Sequence, residues 1–392
     1  MIYSQPHRPD YLPFGKPNFG TEEIGAVTRV LQSGWVGMGP ETLAFEQELS
    51  SFVGTEYVVA VNSCTSALFL SLHSLGIGPG DEVIVPSLTW CSTANAVLYL
   101  GATPVFCDVE LNTMSGSPAT IVAALTARTK AVIHVHYGGL ASDMRALRDA
   151  LPMGVAIVED AAHALGAIYP DGNPVGSSGN LTCFSFYANK NLSTGDGGAI
   201  AVRDPELAEK ARLASHQGLQ SDAWKRFSHP MATLTPGIAE LGYKMNFTDL
   251  QACIGRVQLK RQPEFRARRL SVAKRYLDVL STHTDTLRFQ EGLVADSHAR
   301  HLFVLRVPIG ELTITRNELL LELRAYNIGA SIHYAPLHTL SLYQPYVRGI
   351  LPNVEQLMQD ILTLPISASM TDEDASYVAD QVIDTLVATR RA

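Results

Sequence analysis

The stretch Phe184–Gly198 reads FSFYANKNLSTGDGG and places one lysine, Lys190, between an aromatic run and a turn rich in glycine and polar residues. The runs LTCFSF, which ends at Phe186, and GAIAV, which begins at Gly198, are typical of two short buried strands that lie close together. Most lysines are solvated surface charges, and an amine gains chemical interest only when other groups converge on it. The groups around Lys190 therefore decide how this stretch is interpreted.

Short β-branched runs alternate with helix-like stretches through the first two-thirds of the chain. The strand-like runs are YVVAV, EVIVP, TPVFCDV, KAVIHVH and VAIVED. This alternation predicts an α/β fold with a large, mostly parallel sheet covered by helices on both faces. Beyond Thr248 a long helical connector, with a break expected near Pro263, leads into mixed helices and strands. We therefore predict an N-terminal arm and large domain over residues 1–254 and a small α+β domain over residues 255–392.

Composition and charge argue against several classes of protein. The net charge of −8 and the lack of a basic block argue against a nucleic-acid partner. The longest apolar runs are far shorter than a membrane span, and the N-terminus lacks the pattern of a signal peptide, so neither a membrane nor secretion is expected. The five cysteines are scattered without the spacing of a metal or redox site, which favours reduced thiols in a cytoplasmic protein.

The stretch VEDAAHALGA supplies the first candidate partner of Lys190. Val155–Val158 is typical of a buried strand that delivers Asp160 and His163 to its carboxyl end, where ligands bind in open α/β sheets. A carboxylate at that place can hold a heteroaromatic nitrogen in its protonated state. The competing interpretation is an aspartate that caps the next helix, which an isolated Glu-Asp pair would favour.

Hydroxyl and aromatic residues at other strand ends are further candidates. Asn62–Leu68, NSCTSAL, leaves the strand YVVAV and opens a helix, where hydroxyl groups and free backbone N–H groups form an anion site. Ordinary N-capping by Ser63 or Thr65 explains the same residues when they are taken alone. Ser185 adds a hydroxyl if its strand ends on the same side of the sheet. Trp90, after EVIVPSLT, can stack on a planar ring or belong to the core.

Together these residues match one ligand. A lysine amine, a carboxylate for a ring nitrogen, a phosphate site and an aromatic side chain are the groups that bind pyridoxal 5′-phosphate (PLP). The lysine forms a Schiff base with this cofactor, which then acts as an electron sink for carbanion chemistry. Lys190 is therefore predicted to carry PLP.

The motifs resemble, in their order and in their sequences, those of the DegT/StrS-type nucleotide-sugar aminotransferases. The matching stretches are SGWVGMGP, AVNSCTSAL, GDEVIVPSLTW, HYGGLASDM, VEDAAHALGA, SFYANKNLSTGDGG and GYKMNFTDLQACIG, and the resemblance extends from about Pro13 to the C-terminal region. It implies the PLP-dependent transferase fold of type I, similar to aspartate aminotransferase. The sequences of the motifs are most similar to those of members that aminate UDP-linked 4-keto sugars, especially those that form 4-amino-4-deoxy-arabinose.

The resemblance implies roles around the cofactor ring. Lys190 would form the Schiff base and shuttle the proton, and Asp160 would pair with the pyridine nitrogen. His163 would lie near the ring oxygen, and Trp90 would stack on the ring. No metal ion is expected.

The resemblance also implies how the phosphate is held. Thr65, Ser66 and Ser185 would bind it from the same chain. Asn246 would reach it from the neighbouring subunit, since family members build their sites across a homodimer interface.

The implied reaction has two halves. Glutamate would convert PLP to pyridoxamine 5′-phosphate and leave as 2-oxoglutarate, and a nucleotide diphosphate keto sugar would then receive the amine. Ser33–Pro40 is expected to help anchor the sugar nucleotide, and the segment Gln217–Trp224 is expected to close over the sugar.

At three positions the residue differs from the one usual in the family's motifs. Tyr187 replaces a histidine, Asp196 replaces a glutamate, and Cys64 stands where glycine or alanine is commoner. None of them affects the core chemistry, but Tyr187 could alter the sugar pocket.

Three other functions rank lower. A sugar dehydratase of the same fold typically has a histidine at the position of Lys190. A non-catalytic sugar-binding or regulatory protein could retain the fold, although the full set of cofactor residues is present. A nicotinamide oxidoreductase is disfavoured because no strand is followed by a GxGxxG fingerprint.

Overall fold

The computed structural model describes residues 8–220, 237–283 and 286–391, and the statements below concern these residues. The first part of the chain contains seven strands: β1 (Tyr57–Val61), β2 (Glu82–Pro86), β3 (Thr103–Cys107), β4 (Thr129–Val135), β5 (Ala156–Asp160), β6 (Leu181–Ser185) and β7 (Gly198–Val202). Seven described helices accompany them: α1 (Thr21–Ser33), α2 (Pro40–Val53), α3 (Cys64–Ser74), α4 (Cys91–Tyr99), α5 (Pro118–Val122), α6 (Met144–Ala150) and α7 (Pro205–Ser215).

The seven strands form one sheet in the order β1-β7-β6-β5-β4-β2-β3. Strand β2 is parallel to β3 and β4, β4 to β5, and β5 to β6, whereas β7 is antiparallel to both β6 and β1. Strand β1 therefore runs in the same direction as β6, and the carboxyl ends of β1, β2, β4, β5 and β6 meet at one edge. The predicted α/β fold with a mostly parallel sheet is confirmed.

Both faces of this sheet are buried. Val59 and Val85 belong to the apolar core on one face, and Val58 and Ile84 belong to the core on the other. Because successive side chains of a strand point to opposite faces, each strand contributes to both cores. This double burial explains why the strands read as nearly continuous apolar runs.

The C-terminal part of the chain builds a second, smaller sheet. Strands β8 (Arg288–Phe289), β9 (Phe303–Arg306) and β10 (Ile361–Leu364) pair antiparallel in the order β10-β9-β8. The helices of this part are α8 (Asp249–Lys260), α9 (Gln262–His283), α10 (Arg316–Ala325), α11 (Pro352–Asp360) and α12 (Asp372–Ala388). Leu12 from the N-terminal arm packs into the core of this region. The small α+β unit predicted at the C-terminus is thus present.

Helix α8 links the two parts of the chain. Its cap, Thr248, accepts a hydrogen bond from the Gln251 backbone N–H, and the helix ends before Arg261. Because α9 begins directly afterwards, the break expected near Pro263 is confirmed. Helix α8 packs against α1 and α2 of the large part. The predicted domain limits at residues 254 and 255 both lie within α8, and that division of the chain stays a prediction.

In the part of the chain that the structure describes, no helix is both long enough and apolar enough to cross a bilayer.

Candidate active site

The carboxyl edge of the large sheet contains a cavity of about 520 Å³. Strand β6 ends and β7 begins at this edge, so residues 186–197 connect the two strands across it. Helices α3 and α4 start at the same edge, shortly after β1 and β2. The lining includes six of the eight residues predicted from the sequence: Thr65, Trp90, Asp160, His163, Ser185 and Lys190.

Lys190 lies in the connection between β6 and β7. Its backbone N–H donates to the Tyr187 carbonyl over 2.9 Å, and its Nζ is 3.4 Å from the Nε2 of His301. Burial lowers the pKa of Lys190 to about 8, while Cys64 and Asp160 act in the opposite direction. Near that pH a large fraction of the amine is therefore neutral, which is the form that attacks a carbonyl group.

Asp160 ends β5 with its carboxylate held in one orientation. The Thr93 hydroxyl donates to Oδ2 over 2.8 Å, and the Ala162 backbone N–H donates to Oδ1 over 3.2 Å. Burial raises the pKa of Asp160, whereas these two hydrogen bonds and the charge of Lys190 lower it. A cation placed in the cavity beside Asp160 would favour the charged carboxylate further.

Nothing in the sequence marks Thr93 as part of the site. It lies in the first turn of α4, and its hydroxyl also contacts that of Thr89 over 2.9 Å. Its contact with Asp160 depends on where α4 crosses the sheet edge, which is a tertiary feature. A threonine at a helix start is otherwise unremarkable.

The hydroxyl groups at the start of α3 bond to one another and to α4. Ser63 Oγ accepts from the Ser66 backbone N–H over 3.1 Å, and Ser66 Oγ donates to Asn62 Oδ1 over 2.6 Å. Thr65 Oγ1 donates to Ser92 Oγ over 2.8 Å. Ser63, Thr65 and Ser92 line the cavity, but Ser66 does not. Ser63 thus caps the helix, as the competing interpretation held, while the helix start also faces the cavity.

Gly198, the first residue of β7, allows this helix start to sit close to the sheet. A Cβ atom at this position would lie 2.5 Å from the Ser63 carbonyl carbon and 2.6 Å from the Cys64 backbone nitrogen. Any side chain would therefore push the start of α3 away from the edge. The close approach of the α3 backbone therefore requires a glycine at position 198, the last residue of the GDGG stretch.

His163 is buried and its tautomer is fixed by its neighbours. The Gly138 backbone N–H donates to Nδ1 over 3.3 Å, and Nε2 lies 3.0 Å from the Tyr334 hydroxyl. Burial and the charge of Lys190 hold the pKa of His163 well below its usual value, so the ring is neutral. Because Nδ1 accepts, the ring hydrogen lies on Nε2 and is donated to the Tyr334 oxygen. The Tyr334 hydroxyl hydrogen is then left for an acceptor in the cavity, which Tyr334 also lines.

Two predicted residues differ in how they relate to the cavity. Trp90 lines it with 59% of its surface exposed, and its ring centroid is 5.6 Å from that of Tyr334. Asn246 does not line it: its side-chain amide donates to the Phe247 carbonyl over 3.1 Å, and its backbone forms a bridge with Val61. Its predicted role concerns a second copy of the chain and stays a prediction.

The two segments predicted to contact the sugar do not line the cavity of this chain where they are described. Ser33–Pro40 packs near α8, where the Asp249 carboxylate accepts from the Gly39 backbone N–H over 2.8 Å. Of the segment Gln217–Trp224, residues 221–224 lie outside the described residues.

The depressed pKa of Lys190 predicts an unusual titration. In cofactor-free protein, acylation of Lys190 by an amine-selective reagent, followed by peptide mass spectrometry, should rise with pH around a midpoint near 8. Asp160→Asn should move the midpoint lower, because it removes a charge that favours the ammonium form. Protein unfolded in urea is the control, and there the pKa of Lys190 should be near 10.5, the ordinary value for a lysine. A folded-state midpoint equal to that of the unfolded chain would contradict the described environment.

The chain is similar to known proteins over nearly its whole length. The model of the DegT/DnrJ/EryC1/StrS aminotransferase family matches residues 17–383. The chain is 43% identical over 397 residues to the spore coat polysaccharide biosynthesis protein SpsC of Bacillus subtilis, with 98% of each chain covered.

Solved structures are similar over nearly the whole chain. The aminotransferase TlmJ of Streptoalloteichus hindustanus is 36% identical with a TM-score of 0.87, covering 96% of this chain and 99% of TlmJ. Spr1654 of Streptococcus pneumoniae, described as a sugar aminotransferase and solved in its PMP form, is 30% identical with a TM-score of 0.87, covering 96% of this chain and 100% of that one. The chain therefore belongs to the DegT/DnrJ/EryC1/StrS aminotransferase family, whose members are PLP-dependent sugar aminotransferases.

Proposed function

We propose that this enzyme transfers the amino group of glutamate to C4 of a UDP-linked 4-keto sugar, either a pentose or a 6-deoxyhexose. The observation that carries the proposal is the convergence of the Lys190 amine, the Asp160 carboxylate and the start of α3 on one cavity. Glutamate, the nucleotide and the 4-keto position are inferred from the resemblance of the sequence motifs to particular family members.

The residues of the cavity fit PLP in charge and in hydrogen-bonding capacity. The start of α3 offers hydroxyl groups and backbone N–H groups to the phosphate, and Ser185 adds a hydroxyl on the β6 side. The Asp160 carboxylate is buried and oriented, so it can pair with a protonated ring nitrogen. The cavity, at about 520 Å³, has room for the cofactor and a sugar ring. When bound, PLP supplies an aldehyde for the amino group and a ring that accepts electrons.

Each polar residue then has a task in the reaction. Asp160 holds the ring nitrogen protonated, and Thr93 holds the Asp160 carboxylate in place. Lys190, once its amine is free, would take a proton from one carbon atom and deliver it to another in each half of the reaction. His163 stays neutral and presents the Tyr334 hydroxyl to the cavity.

Two exposed aromatic residues line the cavity. Trp90 and Tyr187 line the cavity with more than half of each side chain exposed. Exposed aromatic faces at a site entrance stack on planar or ring-shaped ligands and bind polar groups at their edges. Because Tyr187 replaces the histidine usual in the family, we propose that it contributes to the choice of sugar.

The substrate proposal is tested by competition. Equal amounts of UDP-linked and dTDP-linked 4-keto sugars are mixed with limiting enzyme and excess glutamate, and the products are identified by mass. The aminated UDP sugar should predominate, because both sugars compete through the ratio of their kcat/KM values. Preferential amination of the dTDP sugar, or of a 3-keto sugar in a second mixture, would contradict the substrate and leave the transamination chemistry standing.

We also propose that the active enzyme is a homodimer with shared sites. The stretch that contains Asn246 follows Ile238 and Leu241, whose side chains are 73% and 82% exposed. Neighbouring exposed apolar residues of this size are typical of surfaces covered by a partner. In such a dimer the Asn246 amide of one copy would serve the phosphate site of the other.

Complementation tests the shared site. Lys190→Ala and Asn246→Ala variants should each be inactive or nearly so. When they are mixed and subunits exchange, one site of each hybrid dimer regains both residues, so up to about a quarter of wild-type activity should return. As the control, the Lys190→Ala variant is mixed with a Lys190→Met variant. This mixture should stay inactive because every site lacks Lys190. An enzyme that sediments as a monomer at a concentration where it is active would refute the proposal.

A further inference from the structure

His301 is a buried residue that touches the central amine from behind the cavity. It precedes β9, is 2% exposed, and its Nε2 is 3.4 Å from Lys190 Nζ. Within the described residues this is the only hydrogen-bond contact recorded for the Lys190 amine. No sequence motif predicts this contact, since His301 lies more than one hundred positions away from Lys190, in the C-terminal part of the chain.

The surroundings of His301 determine its protonation state. Burial holds the pKa of His301 well below its usual value, and the nearby cations Lys190 and Arg269 act in the same direction. The ring is therefore neutral, and because an ammonium group has no lone pair, Nε2 is the acceptor when Lys190 is protonated. The hydrogen of the neutral ring lies on Nδ1, which is buried and has no hydrogen-bond partner in the described part of the chain.

The His301 ring packs against the ring of His163: their centroids are 4.4 Å apart, with an angle of 32° between the planes. A firmly held acceptor that faces a flexible lysine fits a role in orienting the amine.

Several other groups face the Lys190 amine from the elements packed around it. They are Asp160 at the end of β5, Cys64 at the start of α3, His163 after β5 and His333 in the C-terminal part. Asp160 already bonds to Thr93 and Ala162, burial raises the pKa of the Cys64 thiol, and the two histidines are neutral like His301. Within the described residues, His301 alone lies within hydrogen-bond distance of the amine.

We propose that His301 is a positioning residue whose Nε2 accepts a hydrogen from the free Lys190 amine and aims that amine at the reacting carbon atoms. The inference rests on the proposed role of Lys190 as the group that moves the proton. The proton leaves one carbon for Lys190 Nζ and passes from Nζ to the second carbon, while His301 neither gains nor loses a proton. Fixing the end of a long side chain in this way lowers the entropic cost of each transfer.

Substitutions at His301 separate the hydrogen bond from the bulk of the ring. Glutamine places an amide oxygen near the position of Nε2 and can replace the acceptor, whereas asparagine is too short and phenylalanine has no acceptor. His298→Gln is the matched control: His298 is also fully buried in the same segment, but its nitrogens bond to Gln290 and to the Arg300 backbone N–H.

The first measurement is the pH dependence of Lys190 acylation in the cofactor-free variants. An acceptor stabilises the ammonium form more than the neutral amine, because a charged donor makes the stronger hydrogen bond. His301→Phe and His301→Asn should therefore lower the midpoint, while His301→Gln and His298→Gln should keep the wild-type value. Equal midpoints in wild type and His301→Phe would overturn the proposal.

The second measurement uses the holoenzyme mixed rapidly with an amino donor, followed by the loss of near-visible cofactor absorbance in a single turnover. His301→Phe should slow this step by about 10- to 100-fold, the size expected for a misplaced group, with His301→Gln closer to wild type. An equal loss in His298→Gln would mean that the effect is structural and would overturn the proposal. If wild-type enzyme reacts with no amino donor but the acylation midpoints of the variants still differ, the proposed function fails and the role of His301 stands.

Discussion

The parallel pairing of β5 with β6 is the constraint on which the rest of the site depends. It places the end of β5, with Asp160, beside the end of β6, from which the chain continues to Lys190. The antiparallel return of β7 then brings Gly198 against the start of α3. An acid, an amine and a helix start thus meet at one edge because of strand direction alone, and ligands of open α/β sheets bind at such an edge.

Burial gives these groups their chemical character. It raises the pKa of Asp160 and lowers that of Lys190, so the protein interior opposes both charges. In the proposed function, a protonated ring nitrogen would favour the charge of Asp160. Because the Asp160 carboxylate is already oriented by Thr93 and Ala162, binding the cofactor would require little reorganisation of this group.

Much of the site could be predicted from the sequence, because the position of several site residues depends on the strand next to them in the chain. Asp160 and Ser185 end recognisable strands and Lys190 follows one, so the alternation of strands and helices predicted that they lie close together. Thr93 and His301 could not be predicted, because their contacts depend on how α4 crosses the edge and how the C-terminal part packs behind Lys190. The division of the chain at residue 254 stays a prediction, and it lies within α8, which continues through that position while packing on α1 and α2.

The most direct test of the account asks which residue carries the cofactor. Holoenzyme is reduced with borohydride, digested, and mapped by mass spectrometry for the peptide that bears the pyridoxyl group. The account predicts one adduct, on Lys190, with none on any other lysine and none at all in Lys190→Ala. A stoichiometric adduct on a different lysine, or undiminished labelling of Lys190→Ala, would contradict it.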